Sequence, residues 1–152
     1  MKYYSGDIEY ELKEDRTPVT IADTEAEKII IETIKKEFPD HGFLGEESGE
    51  TTQADYMWII DPIDGTKNYT RKIPLFETQI ALMKKNEFML GVSNAPAINE
   101  LIYAEKGKGA YLNDKKINVS TLSSLSDSYL CFGSIRYFER TNYLKQLVSL
   151  TN

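Results

Sequence analysis

The run Asp61-Pro62-Ile63-Asp64-Gly65-Thr66 places two carboxylates close together on one turn. The apolar residues Met57-Trp58-Ile59-Ile60 before it predict a buried strand that delivers Asp61 to its C-terminal end. Pro62 stiffens the turn and Ile63 offers a backbone carbonyl. Gly65-Thr66 opens a short helix whose first N–H groups have no helical acceptor. Hard divalent cations take oxygen ligands of this kind. N–H groups at a helix start take phosphate. Together they describe a site for a metal-bridged phosphate ester. A lone Asp-Gly would be read as a turn former. Two acids at a strand end beside Gly-Thr favour chemistry, and Glu46-Glu47, after a second strand-to-glycine turn, strengthen that reading.

Several other chemistries do not fit. An EF-hand loop needs acids at alternate positions, which Pro62 and Ile63 interrupt. No Gly-x-x-x-x-Gly-Lys-Ser/Thr run is present. Gly107-Lys108-Gly109 lacks the third glycine of a dinucleotide fingerprint and reads as a turn. The haloacid-dehalogenase phosphatases carry Asp-x-Asp, whereas this chain has Asp-x-x-Asp, so an aspartyl-phosphate nucleophile is disfavoured. The single histidine, His41, sits beside a Pro-Asp turn and is expected in a solvated loop. Cys131 lies in an apolar stretch and is expected in the core.

The elements that must position these residues follow from periodicity. Ile8 to Lys13 alternates apolar and charged, a half-buried strand pattern. Thr24 to Glu37 reads as a helix, with Thr24 and Glu27 as a capping box and Ala26, Ile30 and Ile34 as its apolar stripe. Phe38-Pro39-Asp40-His41-Gly42 stops it, and Phe43-Leu44 forms a short strand. Phe76 to Met83 and Phe88 to Ser93 predict a hairpin around Lys84-Lys85-Asn86-Glu87. Strands are also expected at Leu101 to Ala104 and Ala110 to Leu112, with a turn at Asn113 to Lys116 before Ile117-Asn118-Val119. The tail, Tyr137 to Leu150, reads as one helix with Tyr143, Leu147 and Leu150 on a face. The expected fold class is α+β, a mostly antiparallel sheet covered by helices.

Composition bounds the partners. The chain has 152 residues, 41% hydrophobic and 28% charged, which fits one globular domain with a sizeable core. A net charge of -6 without a basic stripe points away from nucleic acid. The apolar runs are too short for a membrane-spanning helix, so no membrane partner is expected. No apolar segment of a secretory signal follows Met1, and one cysteine cannot form an intramolecular disulfide. A cytoplasmic location is therefore the expectation.

Glu46-Glu47-Ser48, the run Trp58 to Tyr69 and Pro18-Val19-Thr20-Ile21-Ala22-Asp23 resemble the inositol monophosphatase family in order and spacing. The resemblance runs from about Lys13 to about Ser134 and implies the N-terminal, metal-binding domain of that fold. It implies two or three Mg²⁺ ions. Glu46, Asp61 and the Ile63 carbonyl would hold one ion, and Asp61 and Asp64 a second. The Gly65 and Thr66 N–H groups would cradle the phosphate of a small phosphorylated metabolite. Asp23, Thr66 and Glu46 are the implied catalytic residues, with Asp23 and the Thr66 hydroxyl orienting and deprotonating a metal-bound water. Lys13 and Glu47 would support the ligands from behind. The stretch Thr66-Lys67-Asn68-Tyr69 with Arg71 is most similar to the histidinol-phosphate phosphatase branch, ahead of inositol-1-phosphate or other sugar and nucleotide phosphatases.

The family also carries a second domain with a Trp-Asp-x-Ala-Ala-Gly-like element, and nothing in residues 1–152 matches it. The expectation is a single domain, truncated relative to the family, with a homodimer as the family's usual assembly. A competing reading of a different class is an inactive metal-binding module.

Overall fold

The computed structural model describes residues 3–14, 17–51, 53–131 and 135–149. By contacts the chain divides into two compact units, Met1–Asn118 and Val119–Asn152.

The first unit begins with a two-stranded antiparallel ribbon, β1 (Glu11–Leu12) and β2 (Pro18–Val19). The alternation expected over Ile8 to Lys13 thus reaches only two paired residues. Helix α1 (Ile21–Glu37) follows. It starts earlier than the sequence predicts, because Thr20 rather than Thr24 is its N-cap. The Thr20 side chain accepts from the Ala22 N–H at 3.1 Å, and Asp23 Oδ2 accepts from the Thr20 N–H at 2.8 Å. Thr24 instead donates its hydroxyl to the Ile21 carbonyl. Both Thr20-x-x-Asp23 and Thr24-x-x-Glu27 fit the capping pattern, and the first of them takes the role.

An eight-stranded sheet forms the body of this unit. Its strands are β3 (Gly42–Gly45), β4 (Gly49–Glu50), β5 (Tyr56–Asp64), β6 (Glu77–Lys84), β7 (Glu87–Ala95), β8 (Glu100–Glu105), β9 (Gly109–Leu112) and β10 (Lys115–Ile117). The order is β10-β9-β8-β7-β6-β5-β3-β4, and every neighbouring pair is antiparallel except β3 with β5. This is the α+β fold that the residue pattern predicts. The hairpin turns fall at Lys85-Asn86 and Asn113-Asp114, where both residues have positive φ, the type I′ signature.

The core explains the order. Strand β5 buries Met57, Trp58, Ile60, Pro62 and Ile63, so it runs through the middle of the sheet. Phe43, Trp58 and Ile60 face Ile30, Ile31 and Ile34 of α1. A second cluster, Ala22, Ile63, Tyr69 and Phe76, lies behind the end of β5, with Tyr3 and Tyr4 packed on it. A groove of about 630 Å³ reaches Glu46 and Asp61 and is lined by Leu44, Ile59, Ala81 and Ile102.

His41 is not in a solvated loop. Its ring stacks between Phe38 at 4.9 Å and Tyr56 at 4.8 Å, and its Nδ1 accepts from Trp58 Nε1 at 3.0 Å. The Pro-Asp turn delivers it onto aromatic rings from two elements, a contact invisible to local pattern.

Among its described residues, the second unit holds a 3₁₀ turn at Leu125–Asp127 and two short helices, α3 (Ile135–Arg140) and α4 (Leu144–Ser149). The expected single tail helix is therefore broken. Asn142 has φ of 60°, Tyr143 N–H donates to the Phe138 carbonyl at 2.8 Å, and Asn142 N–H donates to Glu139 at 3.2 Å. That is a Schellman motif with Asn in the left-handed position. Leu150 lies outside the described residues. Cys131, expected in the core, is exposed.

Ile60 is only 2% exposed at the centre of the cluster under α1. Ile60→Ala is expected to lower stability by about 2–5 kcal/mol. Urea unfolding followed by Trp58 fluorescence checks this, and a loss below about 1 kcal/mol would mean that the site collapses around the cavity.

Candidate active site

Four segments meet at the C-terminal end of β5. Between Asp61, which pairs with Gln79, and Asp64, which pairs with Glu77, the strand carries an extra residue relative to β6. Pro62 sits in this bulge, where its missing N–H costs no ladder bond. The Pro62 carbonyl accepts from the Thr78 hydroxyl at 2.9 Å, and the Ile63 carbonyl from the Thr66 hydroxyl at 2.9 Å. Helix α2 (Thr66–Thr70) then begins from Gly65, whose φ of 87° is left-handed. A Cβ there would come within 3.0 Å of the Leu75 carbonyl. Glycine answers both demands.

Asp23 reaches the site from the first turn of α1. It is 1% exposed and fully engaged. Its Oδ2 accepts from the Thr20 hydroxyl at 2.6 Å as well as from the Thr20 N–H. Its Oδ1 lies 3.2 Å from the Thr66 hydroxyl. That hydroxyl has one proton and two acceptors, Asp23 and the Ile63 carbonyl, so it satisfies one at a time.

Glu46 arrives from the turn after β3. Its N–H donates to the Ile60 carbonyl at 3.0 Å, which ties the turn to β5. Lys13 Nζ donates to Glu46 at 3.1 Å and to Glu47 at 2.7 Å. Partial burial opposes the charge on Lys13, but its bonds to Glu47 and Glu46 outweigh this and raise its pKa. Asp64 is exposed and accepts from Gln79 Nε2 at 2.6 Å.

The carboxylates repel one another. Asp61 is raised from its ordinary 3.8 to about 7, first by burial, then by the charge of Glu46 and a hydrogen bond with its side chain, then by the charge of Asp64. Asp64, though exposed, is also raised, first by partial desolvation and then by the charges of Glu77 and Glu46. Asp61 Oδ1 is buried and has no hydrogen-bond partner. A buried acceptor with nothing to accept is costly, and a cation answers it. The Ile63 carbonyl completes an all-oxygen set suited to a hard divalent ion. Among the described residues, no group of three or more His, Cys, Asp or Glu is placed so that it could hold a metal ion. The fit therefore rests on the orphaned Asp61 oxygen and on the oxygen chemistry of its neighbours.

All the residues singled out from the sequence meet here. Glu46, Asp61, Ile63, Asp64, Gly65 and Thr66 border one cavity of about 260 Å³, and Asp23 touches it through Thr66. The Gly65 N–H faces the Asp64 carboxylate. Sequence reasoning missed Thr20, Gln79 and Glu77. Thr20 was legible as a capping box with Asp23; the two β6 residues carry no local signal.

Folded Asp61 keeps its proton up to about pH 7, whereas the unfolded chain releases it near 3.8. Between these values the folded chain binds more protons, so stability falls as pH rises. The melting temperature of the metal-free chain is expected to drop across this window. Asp61→Asn is expected to flatten that part of the profile and to raise the melting temperature near pH 7.5 by a few degrees. Asp61 is half-exposed, so screening keeps the gain to roughly 1 kcal/mol. Thermal melts of both chains from pH 4 to 8 check this.

Comparison with known proteins agrees with this geometry. Residues 1–149 match the model of the inositol monophosphatase family. The histidinol-phosphatase of Chlorobaculum parvum is 43% identical over 126 residues, covering 82% of this chain and 49% of that protein. The solved inositol monophosphatase of Thermotoga maritima superposes with a TM-score of 0.76 at 40% identity, covering 81% of this chain and 48% of that one. A solved IMPase/NADP phosphatase complexed with Mg²⁺ and phosphate gives a TM-score of 0.67 at 28% identity, over 72% of this chain and 43% of that one. The chain spans about half the length of the curated relatives it matches. No helix among the described residues is long and apolar enough to cross a membrane. Sharing the fold of its solved members and matching its model over nearly the whole length, the chain belongs to the inositol monophosphatase family.

Proposed function

We propose that this chain supplies the metal-binding part of a Mg²⁺-dependent phosphomonoesterase that acts on histidinol phosphate. The buried, unpartnered Asp61 oxygen between Glu46 and Asp64 carries the metal reading. Glu46, Asp61, the Ile63 carbonyl and Asp64 are the residues that would hold the ions. Bound Mg²⁺ would supply positive charge to the phosphate oxygens and acidify water.

The chain's own residues account for the rest. Thr20 anchors one Asp23 oxygen with two donors, which aims the other at Thr66. When the Thr66 proton goes to Asp23, the hydroxyl keeps a lone pair toward the cavity. It can then accept from an attacking water, and Asp23 backs that transfer as general base. Thr66 and Lys67 begin α2, so their N–H groups lack helical acceptors and suit a phosphate. Lys13 stands behind Glu46 and Glu47 and offsets part of their repulsion.

The substrate reading rests on Lys67-Asn68-Tyr69 with Arg71 and on the likeness to the C. parvum histidinol-phosphatase. Lys67 is exposed and borders the site, Arg71 is exposed and donates to the Lys67 carbonyl, and Tyr69 is buried and belongs to the core. Likeness to the T. maritima inositol monophosphatase favours inositol 1-phosphate as the second reading. A homodimer, and a cytoplasmic location, complete the proposal as family-like properties.

Two outcomes are expected. Asp61→Asn and Asp64→Asn each lose Mg²⁺ binding by calorimetry, by at least about tenfold, while the chain stays folded; unchanged binding in a folded variant would sink the ligand roles. Phosphate release with Mg²⁺ is expected to be faster from histidinol phosphate than from inositol 1-phosphate. Faster release from inositol 1-phosphate would reverse the substrate choice, and Mg²⁺ binding with no release from either would favour a non-catalytic module.

A further inference from the structure

Glu27 is a buried acid that the chemistry above does not use. It lies on the second turn of α1 and is 2% exposed. Its Oε2 accepts from the Glu47 N–H at 2.9 Å and its Oε1 from the Ser48 N–H at 2.8 Å. Two adjacent amides, twenty residues away in sequence, thus converge on one carboxylate. Charge-assisted bonds of this type are strong and directional. The residue opposite is Gly45, on an ordinary strand backbone. A Cβ there would fall 2.5 Å from Glu27 Cδ and 2.5 and 2.6 Å from its two oxygens. Gly45 is therefore required for room, not for conformation.

We infer that Glu27 is a positioning residue for Glu46: it clamps the Glu47 and Ser48 amides and so fixes the turn that turns the Glu46 carboxylate toward Asp61. The Glu46 N–H is held on its other side by the Ile60 carbonyl, so three successive amides are pinned to α1 and β5. Lys13 fixes only the side chains; Glu27 fixes the backbone beneath them. The purpose of this clamp rests on the metal reading above, but its geometry does not.

Glu27→Gln keeps the shape and leaves one acceptor oxygen where the two N–H groups need two. Three measurements on the full chain decide the matter. Amide hydrogen exchange is expected to lose protection at Glu47 and Ser48 in Glu27→Gln, and unchanged exchange overturns the inference. Mg²⁺ affinity by calorimetry, well below the melting temperature, is expected to fall about 10- to 100-fold. A folded variant that loses amide protection yet binds Mg²⁺ like wild type reduces Glu27 to a structural cap and overturns it. The third measurement is a cycle that does not rely on Glu27→Gln folding. Gly45→Ala is expected to weaken Mg²⁺ about tenfold alone but less than about twofold in a Glu27→Ala background, because the added methyl then meets no carboxylate. Additive losses overturn the clamp. If the wild-type chain binds no Mg²⁺, the functional reading falls, and amide exchange alone decides Glu27.

Discussion

Like charges held together in a partly dry pocket govern this molecule. Glu46 and Asp64 stand close enough to push a proton back onto Asp61, and Asp61 leaves one oxygen without any donor. Such an arrangement raises the free energy of the metal-free fold. It persists because every backbone segment that carries an acid is tied down independently. Helix α1 enters from a capping box, the β3–β4 turn is held by Glu27 and Ile60, and β5 is gripped on both sides by the sheet. The rigid parts are apolar and bonded, and the unfavourable electrostatics are confined to side chains at one end.

Two buried acids on α1 show how the same chemistry serves opposite ends. Asp23 and Glu27 lie one helical turn apart, and both are almost inaccessible. Each is surrounded by donors, Asp23 by Thr20 and Thr66, Glu27 by two amides. They resemble fixed dipoles more than free charges. Asp61 has the contrary environment, with acids as neighbours and too few donors. Burial alone does not separate these groups; the count of donors around each oxygen does.

Legibility in the sequence followed the range of the contacts. Asp61, Ile63, Asp64, Gly65 and Thr66 were readable because their partners lie within a few residues on one turn. The sheet order was partly readable, since hairpins connect neighbours. Glu27 was readable only as a cap for its own helix, since the amides it binds belong to a distant turn. His41 deceived for the same reason: its local surroundings are polar, while its real neighbours, Tyr56 and Trp58, sit on β5. The tail kept its helical periodicity, and one Asn in a left-handed conformation was enough to divide it.

The extra residue at Pro62–Ile63 has a consequence that reaches past the turn itself. Side chains along a strand alternate between its two surfaces, so residues an odd number of steps apart ordinarily point opposite ways. Asp61 and Asp64 are an odd number apart and yet border one cavity, because the bulge restores even parity between them. The spacing of the two acids and the proline between them are thus a single inherited unit. A change that flattened the bulge while keeping the three-residue spacing would leave both aspartates in the sequence and send them to different sides of the sheet.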